Sequence, residues 1–204
     1  MHLSIIETKT IFMKTFLITM AAVMLTIGVW AQTNNLQANT PKPGFYLGLG
    51  TGLESFSGLI GITGDFRATN NFFIRAGAGI GSWGGKFSIG LRNESKTGNS
   101  IGYGIYLSRA TGLKSFTYNL ETTTGDKDVK LELLPGSTLN PTISYKWLVH
   151  DLHRFFIEAG YAIPLQTDPW KVTDGSELTE DSKNLLRTLS PGGFSLGLGF
   201  QFAL

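Results

Sequence analysis

The sequence predicts an all-β protein: a closed, antiparallel, up-and-down transmembrane β-barrel of eight strands, or ten if one extra hairpin also spans. Three observations predict it. From residue 44 onward, short segments place bulky apolar residues at every second position, the period of a strand and not of a helix. The faces opposite carry Gly, Ser, Thr and a few charges, which suits a narrow interior better than a water-facing exterior. In the final stretch Phe194, Leu196, Leu198, Phe200, Phe202 and Leu204 oppose Ser195, Gly197, Gly199, Gln201 and Ala203. The free edge of that strand needs a partner, and closure onto the first strand supplies one.

The N-terminus reads as an address. Lys14 precedes a mostly apolar run from Phe16 to Val29, followed by Trp30-Ala31-Gln32. Val29 and Ala31 suit the −3 and −1 positions of a signal-peptidase site, so residues 1–31 are expected to be a signal peptide, with Met13 as the expected true start. The run falls short of the roughly 20 apolar residues of a spanning helix. Residues 32–43 form a polar leader that ends at Pro41 and Pro43, and residues 44–204 form the barrel domain. Removing residues 1–31 takes Lys9, Lys14 and Glu7 and leaves fifteen basic against fourteen acidic side chains. That near-neutral balance gives no electrostatic footprint for nucleic acid. With no cysteine, disulfides, thiol chemistry and a lipid-anchored cysteine are excluded.

The segments follow in order. Phe45, Leu47, Leu49 and Thr51 oppose Tyr46, Gly48, Gly50 and Gly52. After the connection Glu54 to Gly58, Ile60, Ile62, Gly64 and Phe66 point outward, with Gly61, Thr63, Asp65 and Arg67 inward. Ala68 to Asn71 has the composition of a tight turn. Phe72, Ile74, Ala76, Ala78 and Ile80 then oppose Arg75, Gly77 and Gly79. Past the turn Gly81 to Gly85, Phe87, Ile89 and Leu91 alternate with Ser88, Gly90 and Arg92. Asn93 to Ser100 turns the chain. Ile101, Tyr103, Ile105 and Leu107 oppose Gly102, Gly104, Tyr106 and Ser108.

Between Arg109 and Leu139, Phe116, Tyr118 and Leu120 alternate, Thr124-Gly125-Asp126 turns, and Val129, Leu131 and Leu133 alternate back. Each arm is shorter than the roughly 9–11 residues of a tilted spanning strand. A ribbon protruding beyond the membrane is therefore expected. Next come Leu139, Pro141, Ile143, Tyr145 and Trp147 outward and Asn140, Thr142, Ser144 and Lys146 inward, with Pro141 unable to donate to a ladder. Phe155, Ile157, Ala159, Tyr161 and Ile163 oppose Phe156, Glu158, Gly160 and Ala162, and a long polar loop, Gln166 to Gly192, precedes the last strand. With both termini periplasmic, the turns at 68–71, 93–100 and 148–153 lie inside and the long connections at 109–138 and 166–192 lie outside.

The run Phe155-Phe156-Ile157-Glu158-Ala159-Gly160-Tyr161-Ala162-Ile163-Pro164-Leu165, a long loop and a terminal aromatic-alternating strand resemble the small outer-membrane β-barrel proteins of Gram-negative bacteria, the OmpA-like and OmpX-like group. The resemblance covers residues 44–204 and is one of alternation, not of a specific motif. It implies a place in outer-membrane lipid, insertion by the barrel-assembly machinery through the C-terminal strand, and a structural or surface-interaction role without catalysis. Such chains commonly end in Phe; here Leu204 ends the strand, with Phe202 and Phe200 keeping the pattern. The peptidoglycan-binding domain attached to some relatives is not expected here.

Several groups invite a chemical reading. Gly79-Ile80-Gly81-Ser82-Trp83-Gly84 matches G-x-G-x-x-G, but a strand rather than a helix follows, so a strand-end turn is expected instead of a dinucleotide site. His150 and His153 flank Asp151 in a turn, without the further ligands a metal site needs. They also lie at the wrong end for the lipid A deacylases and palmitoyl transferases that resemble this fold and need a histidine at the outer rim. Asp65, Arg67, Arg75, Arg92, Lys146 and Glu158 all point inward. They line a small pore or, because eight strands leave room for little but side chains, plug the lumen with ion pairs. Asp168, Asp174, Glu177, Glu180 and Asp181 match no Ca²⁺ loop; Asp174 and Glu177 fit the start of a short solvated helix through Leu178, Leu185 and Leu186. Trp83, Tyr103, Tyr145, Trp147 and Tyr161 are candidates for interfacial aromatic girdles. No catalytic residue, metal site or cofactor is expected.

Three function classes remain: a non-catalytic outer-membrane barrel, a narrow outer-membrane channel, and a soluble, exported, lipocalin-type carrier of an apolar ligand. The carrier requires the faces inverted, with bulky residues inside.

Overall fold

The computed structural model of the chain describes residues 43–94, 98–149 and 152–204. The expected signal peptide, the leader up to residue 42, and His150 with Asp151 lie outside the described residues. Eight strands close into one antiparallel up-and-down barrel: β1 (Phe45–Leu53), β2 (Ile60–Arg67), β3 (Phe72–Gly81), β4 (Gly84–Glu94), β5 (Ser100–Ala110), β8 (Gly136–Val149), β9 (His153–Pro164) and β11 (Gly193–Ala203). Spatial order follows chain order. β11 zips onto β1 from Tyr46↔Ala203 to Leu53↔Leu196, so no barrel edge is left open.

Alternation sets which face goes where. On β11 the burial pattern switches at every residue, Ser195 and Gln201 buried and Phe194 65% exposed. The same phase holds on β1 to β5, where Ile60 is 64% exposed and Arg75, Arg92 and Asp65 are buried. Bulky apolar groups are outside and polar groups inside. At Pro141 the β8–β9 ladder is paired at Leu139↔Ile163 and next at Thr142↔Gly160, and the intervening positions drop out. Proline has no N–H for that ladder, while its other side still registers with Ile105.

The ambiguous hairpin does not span. Strands β6 (Leu113–Thr122) and β7 (Gly125–Leu133) form a separate sheet, which excludes the ten-stranded alternative. A third strand, β10 (Trp170–Val172), comes from the long last loop and pairs with β7. The helix α1 (Glu180–Leu189) also packs here, so the ribbon becomes a small cap with its own core. Val129 and Leu131 are fully buried in it, together with Leu120, Leu133, Leu178 and Leu186.

Two helix expectations are corrected. Thr179, not Asp174, is the N-cap, its hydroxyl accepting from the Ser182 N–H at 3.3 Å. The Asp174 carboxylate is already committed to the N–H groups of Ser176 (3.0 Å) and Lys130 (3.1 Å), which tie the loop to β7. Nor is the helix a solvated one, since Leu186 is buried against the cap sheet.

Candidate functional site: the barrel lumen

Inward positions on neighbouring strands bring most of the expected charges together. Asp65 and Arg75 are directly opposite on β2 and β3, with Arg75 Nε donating to the Asp65 carboxylate at 3.1 Å. Arg75 Nη1 reaches across the lumen to Glu158 at 2.6 Å. Arg92 bridges Asp65 (2.7 Å) and Glu94 (2.9 Å), and Lys146 donates to Glu94 at 3.1 Å. Arg154 donates to Glu94 as well. In a low-dielectric interior an unpaired charge costs several kcal/mol, and each carboxylate here faces at least one guanidinium. Arg67 sits apart from this cluster, half-buried, with Nη2 3.4 Å from the Tyr46 hydroxyl.

Aromatic rings sheath the guanidiniums. Arg154 lies over Tyr46 (3.2 Å to the ring centre) and Phe73 (4.8 Å), Arg92 over Phe156 (5.7 Å), and Arg75 over Phe56 (4.3 Å). Cation–π contact of this kind is worth about 2 kcal/mol or more when desolvated. Several buried guanidinium nitrogens, among them Arg75 Nη2, Arg92 Nη1 and Arg154 Nε, still find no hydrogen-bond acceptor among the described residues. A neutral polar belt fills the wall beside them. Asn140 Nδ2 donates to the Tyr106 carbonyl at 3.2 Å, and Ser88 and Ser108 share a bond of 2.7 Å.

The mouth at the cap end is filled by the β1–β2 connection folding inward. Ser55, Phe56 and Ser57 are all buried. The Phe56 ring packs edge-on to Tyr106 at 4.8 Å, and Glu54, at the rim, takes Lys86 as its partner at 2.9 Å. The small wall residues make this possible. A Cβ added at Gly77 would stand 2.6 Å from the Phe56 ring, one at Gly197 2.8 Å from the Ser55 Cβ, and one at Gly79 would overlap the Ser57 carbonyl. The glycine face is therefore a seat cut for this loop.

Sequence reasoning missed Glu94, Arg154, Glu54 and Lys86, and the loop plug altogether. Parity held the signal for the first two: Glu94 is two residues past Arg92, and Arg154 is four before Glu158.

Among the expected girdle aromatics, Trp83 is corrected. It is buried under the cap, its Nε1–H donating to the Leu134 carbonyl at 3.0 Å. Its side chain belongs to the cap core, which removes it from any outward-facing ring. Tyr145 and Trp147 meet edge-on at 4.6 Å, and Trp147 meets Phe155 at 5.5 Å on the outer wall at the end away from the cap. Tyr161 is exposed at the other end, and Tyr103 is half-buried on the outward face. His153 opens β9 instead of lying in a solvated turn: its Nδ1 accepts from the Ala203 N–H at 3.2 Å and its ring packs 5.5 Å from Phe202. Among the described residues, no group of three or more His, Cys, Asp or Glu is placed to hold a metal ion. The G-x-G-x-x-G run is the β3–β4 hairpin turn.

No family model and no curated protein matches the chain. Among solved structures, the crystal structure of Acinetobacter baumannii CarO is similar at a TM-score of 0.42 and 12% identity, covering 82% of this chain and 100% of that one. At that score the likeness says nothing about what this chain does.

Proposed function

We propose that this chain is a non-catalytic integral outer-membrane barrel, of the small OmpA-like and OmpX-like kind, that works as a narrow channel closed at rest. The outer wall supports the membrane part. Among the described residues, twenty-five large apolar side chains on the eight barrel strands are exposed. Leaving a Leu or Phe in water forgoes about 1.5–3 kcal/mol. Even at half exposure the sum is tens of kcal/mol, against a net stability of about 5–15. From Phe194 to Leu204, ten steps of about 3.3 Å at a tilt of about 40° give an apolar band about 25 Å tall, the height of a barrel's lipid-facing belt. A lipocalin-type carrier needs the opposite distribution. In this reading residues 1–31 export the chain, the assembly machinery reads β11, the termini are periplasmic, and the Tyr145–Trp147–Phe155 rings sit at the inner interface with Tyr161 at the outer one.

The plug carries the channel part. Phe56 and its neighbours close the mouth as a loop, not as part of the wall, so they can leave while every barrel ladder stays intact. Behind them lie buried guanidinium N–H groups with no acceptor among the described residues, which suit water or a solute. A structural or surface-interaction role is the alternative, with the ion-pair layer as a permanent seal. Planar-bilayer recording separates the two. The parent is expected to be silent or to open rarely, and a variant lacking Ser55–Gly58 to show steady conductance steps. Silence of that variant at all voltages, with folding intact, rejects the channel and leaves the structural role.

A further inference from the structure

The cap and the barrel rim leave a cleft of about 370 Å³ between them, lined by Tyr161, Gln166, Thr167, Asp168, Trp170 and Arg187, among others. That is within the roughly 300–1,000 Å³ of small-molecule sites. Its depth is set by the ladder: Tyr161 registers with Phe194, the outermost residue of the apolar face of β11. The floor of the cleft thus lies where the lipid-facing band ends, at headgroup level.

The lining carries one ion pair, Asp168 with Arg187, each partner about half exposed. Arg187 Nε and Nη2 donate to the two carboxylate oxygens of Asp168 at 2.9 and 3.2 Å, and Nη1 donates to Asn184 at 3.3 Å. A guanidinium has five N–H groups, so two remain for a ligand while Asp168 and Asn184 orient the group. Asp168 achieves this with a backbone φ of +50°, in the left-handed region that few non-glycine residues occupy. Its carbonyl accepts from the Trp170 N–H at 2.8 Å, a backbone turn that brings Trp170 into the lining, partly buried against the cap core. A pre-set Arg fork suits a phosphate. Rings at Trp170 and Tyr161, with amide and hydroxyl groups at Gln166 and Thr167, suit a hydroxylated sugar ring more than the ringless head of a glycerophospholipid.

We propose that this cleft holds the phosphorylated sugar headgroup of an outer-leaflet glycolipid, Arg187 on the phosphate and the Trp170 and Tyr161 rings against the sugar. The inference rests on the outer-membrane reading, because that reading puts the rim in the leaflet.

The test uses the full mature chain folded in detergent micelles, with calorimetric titration of three probes: an acylated, phosphorylated glucosamine-disaccharide glycolipid, its deacylated water-soluble form, and phosphatidylglycerol. The parent is expected to bind the glycolipid at least tenfold tighter than phosphatidylglycerol, and Arg187→Gln to lose at least tenfold. Tyr161→Ala, on an exposed side chain, is expected to weaken it severalfold and serves should Arg187→Gln fail to fold. Equal binding of glycolipid and phosphatidylglycerol, or parent-like binding by the folded variants, overturns the proposal. Tight binding of the deacylated form as well assigns the site to the headgroup chemistry from either source; binding of the acylated form alone assigns it to the membrane-borne one. Insertion of the parent into liposomes is measured alongside. Failure to insert defeats the membrane reading, whereas insertion without glycolipid preference defeats the cleft alone.

Discussion

Glu158 shows what a single lumen residue contributes. It is the partner of Arg75 Nη1 at 2.6 Å, and both side chains are buried. Glu158→Ala leaves that guanidinium with Asp65 as its one carboxylate partner among the described residues, and breaking a buried pair from one side costs about 3–5 kcal/mol. Urea unfolding in lipid vesicles, followed by tryptophan fluorescence, is expected to show that loss; a cost below about 1 kcal/mol contradicts the pairing. In the loop that ties the cap to β7, Asp174 makes a pH prediction. The Ser176 hydroxyl and the Lys130 and Ser176 N–H groups hold its carboxyl down from 3.8 to about 2. A carboxylate held low in the folded state stabilises above its ordinary value and loses that contribution as pH falls toward the folded one. The Lys130 and Ser176 amides are therefore expected to lose hydrogen-exchange protection between about pH 4 and pH 2, with Asp174→Ala, which removes both acceptor oxygens, losing it already at pH 7. Asp65, Arg75, Arg92, Lys146 and Glu158 were legible because two-residue periodicity fixes which way a side chain points. Glu94 and Arg154 were not, because they fall in stretches whose turn-like composition hid the strand ends carrying the same phase.

At the scale of elements, the cap is a unit that its parts conceal. The sequence shows only about seven alternating residues in each arm, yet β6 and β7 reach ten and nine residues, so it is their separate sheet, not their length, that keeps them out of the barrel. That β10 and α1 close over them is a long-range event, since Trp170 and Leu133 pair across a barrel strand pair that separates them in the chain. Leu186→Ala removes a buried side chain from that core and is expected to cost the cap about 2–5 kcal/mol. The check is faster proteolysis of residues 113–133 with the barrel's gel mobility unchanged; simultaneous loss of both contradicts a separate cap core. The helix start was misplaced because Asp174 and Glu177 carry the right residue types for a cap. Composition does not reveal that Asp174 is already bonded to β7. The plug was illegible for a different reason. Five residues from Glu54 to Gly58 have no period, and the glycines that seat them look the same as glycines that merely narrow a lumen.

At the scale of the whole molecule, one inversion decides the account: charges and hydroxyls inside, aliphatic and aromatic groups outside. The alternation made this visible over eight strands without any motif, because a closed barrel has only two faces and the side chains sort between them. What a barrel of this size transports or touches depends on loops, which carry no such constraint. The measurement that bears most directly on the central claim is gel mobility of the urea-washed membrane fraction, run in SDS with and without boiling. A barrel zipped from β1 to β11 and embedded in lipid is expected to stay in the washed membrane, to resist SDS when cold, and to shift its mobility only after boiling. A protein that leaves with the urea wash and runs identically both ways contradicts the membrane barrel.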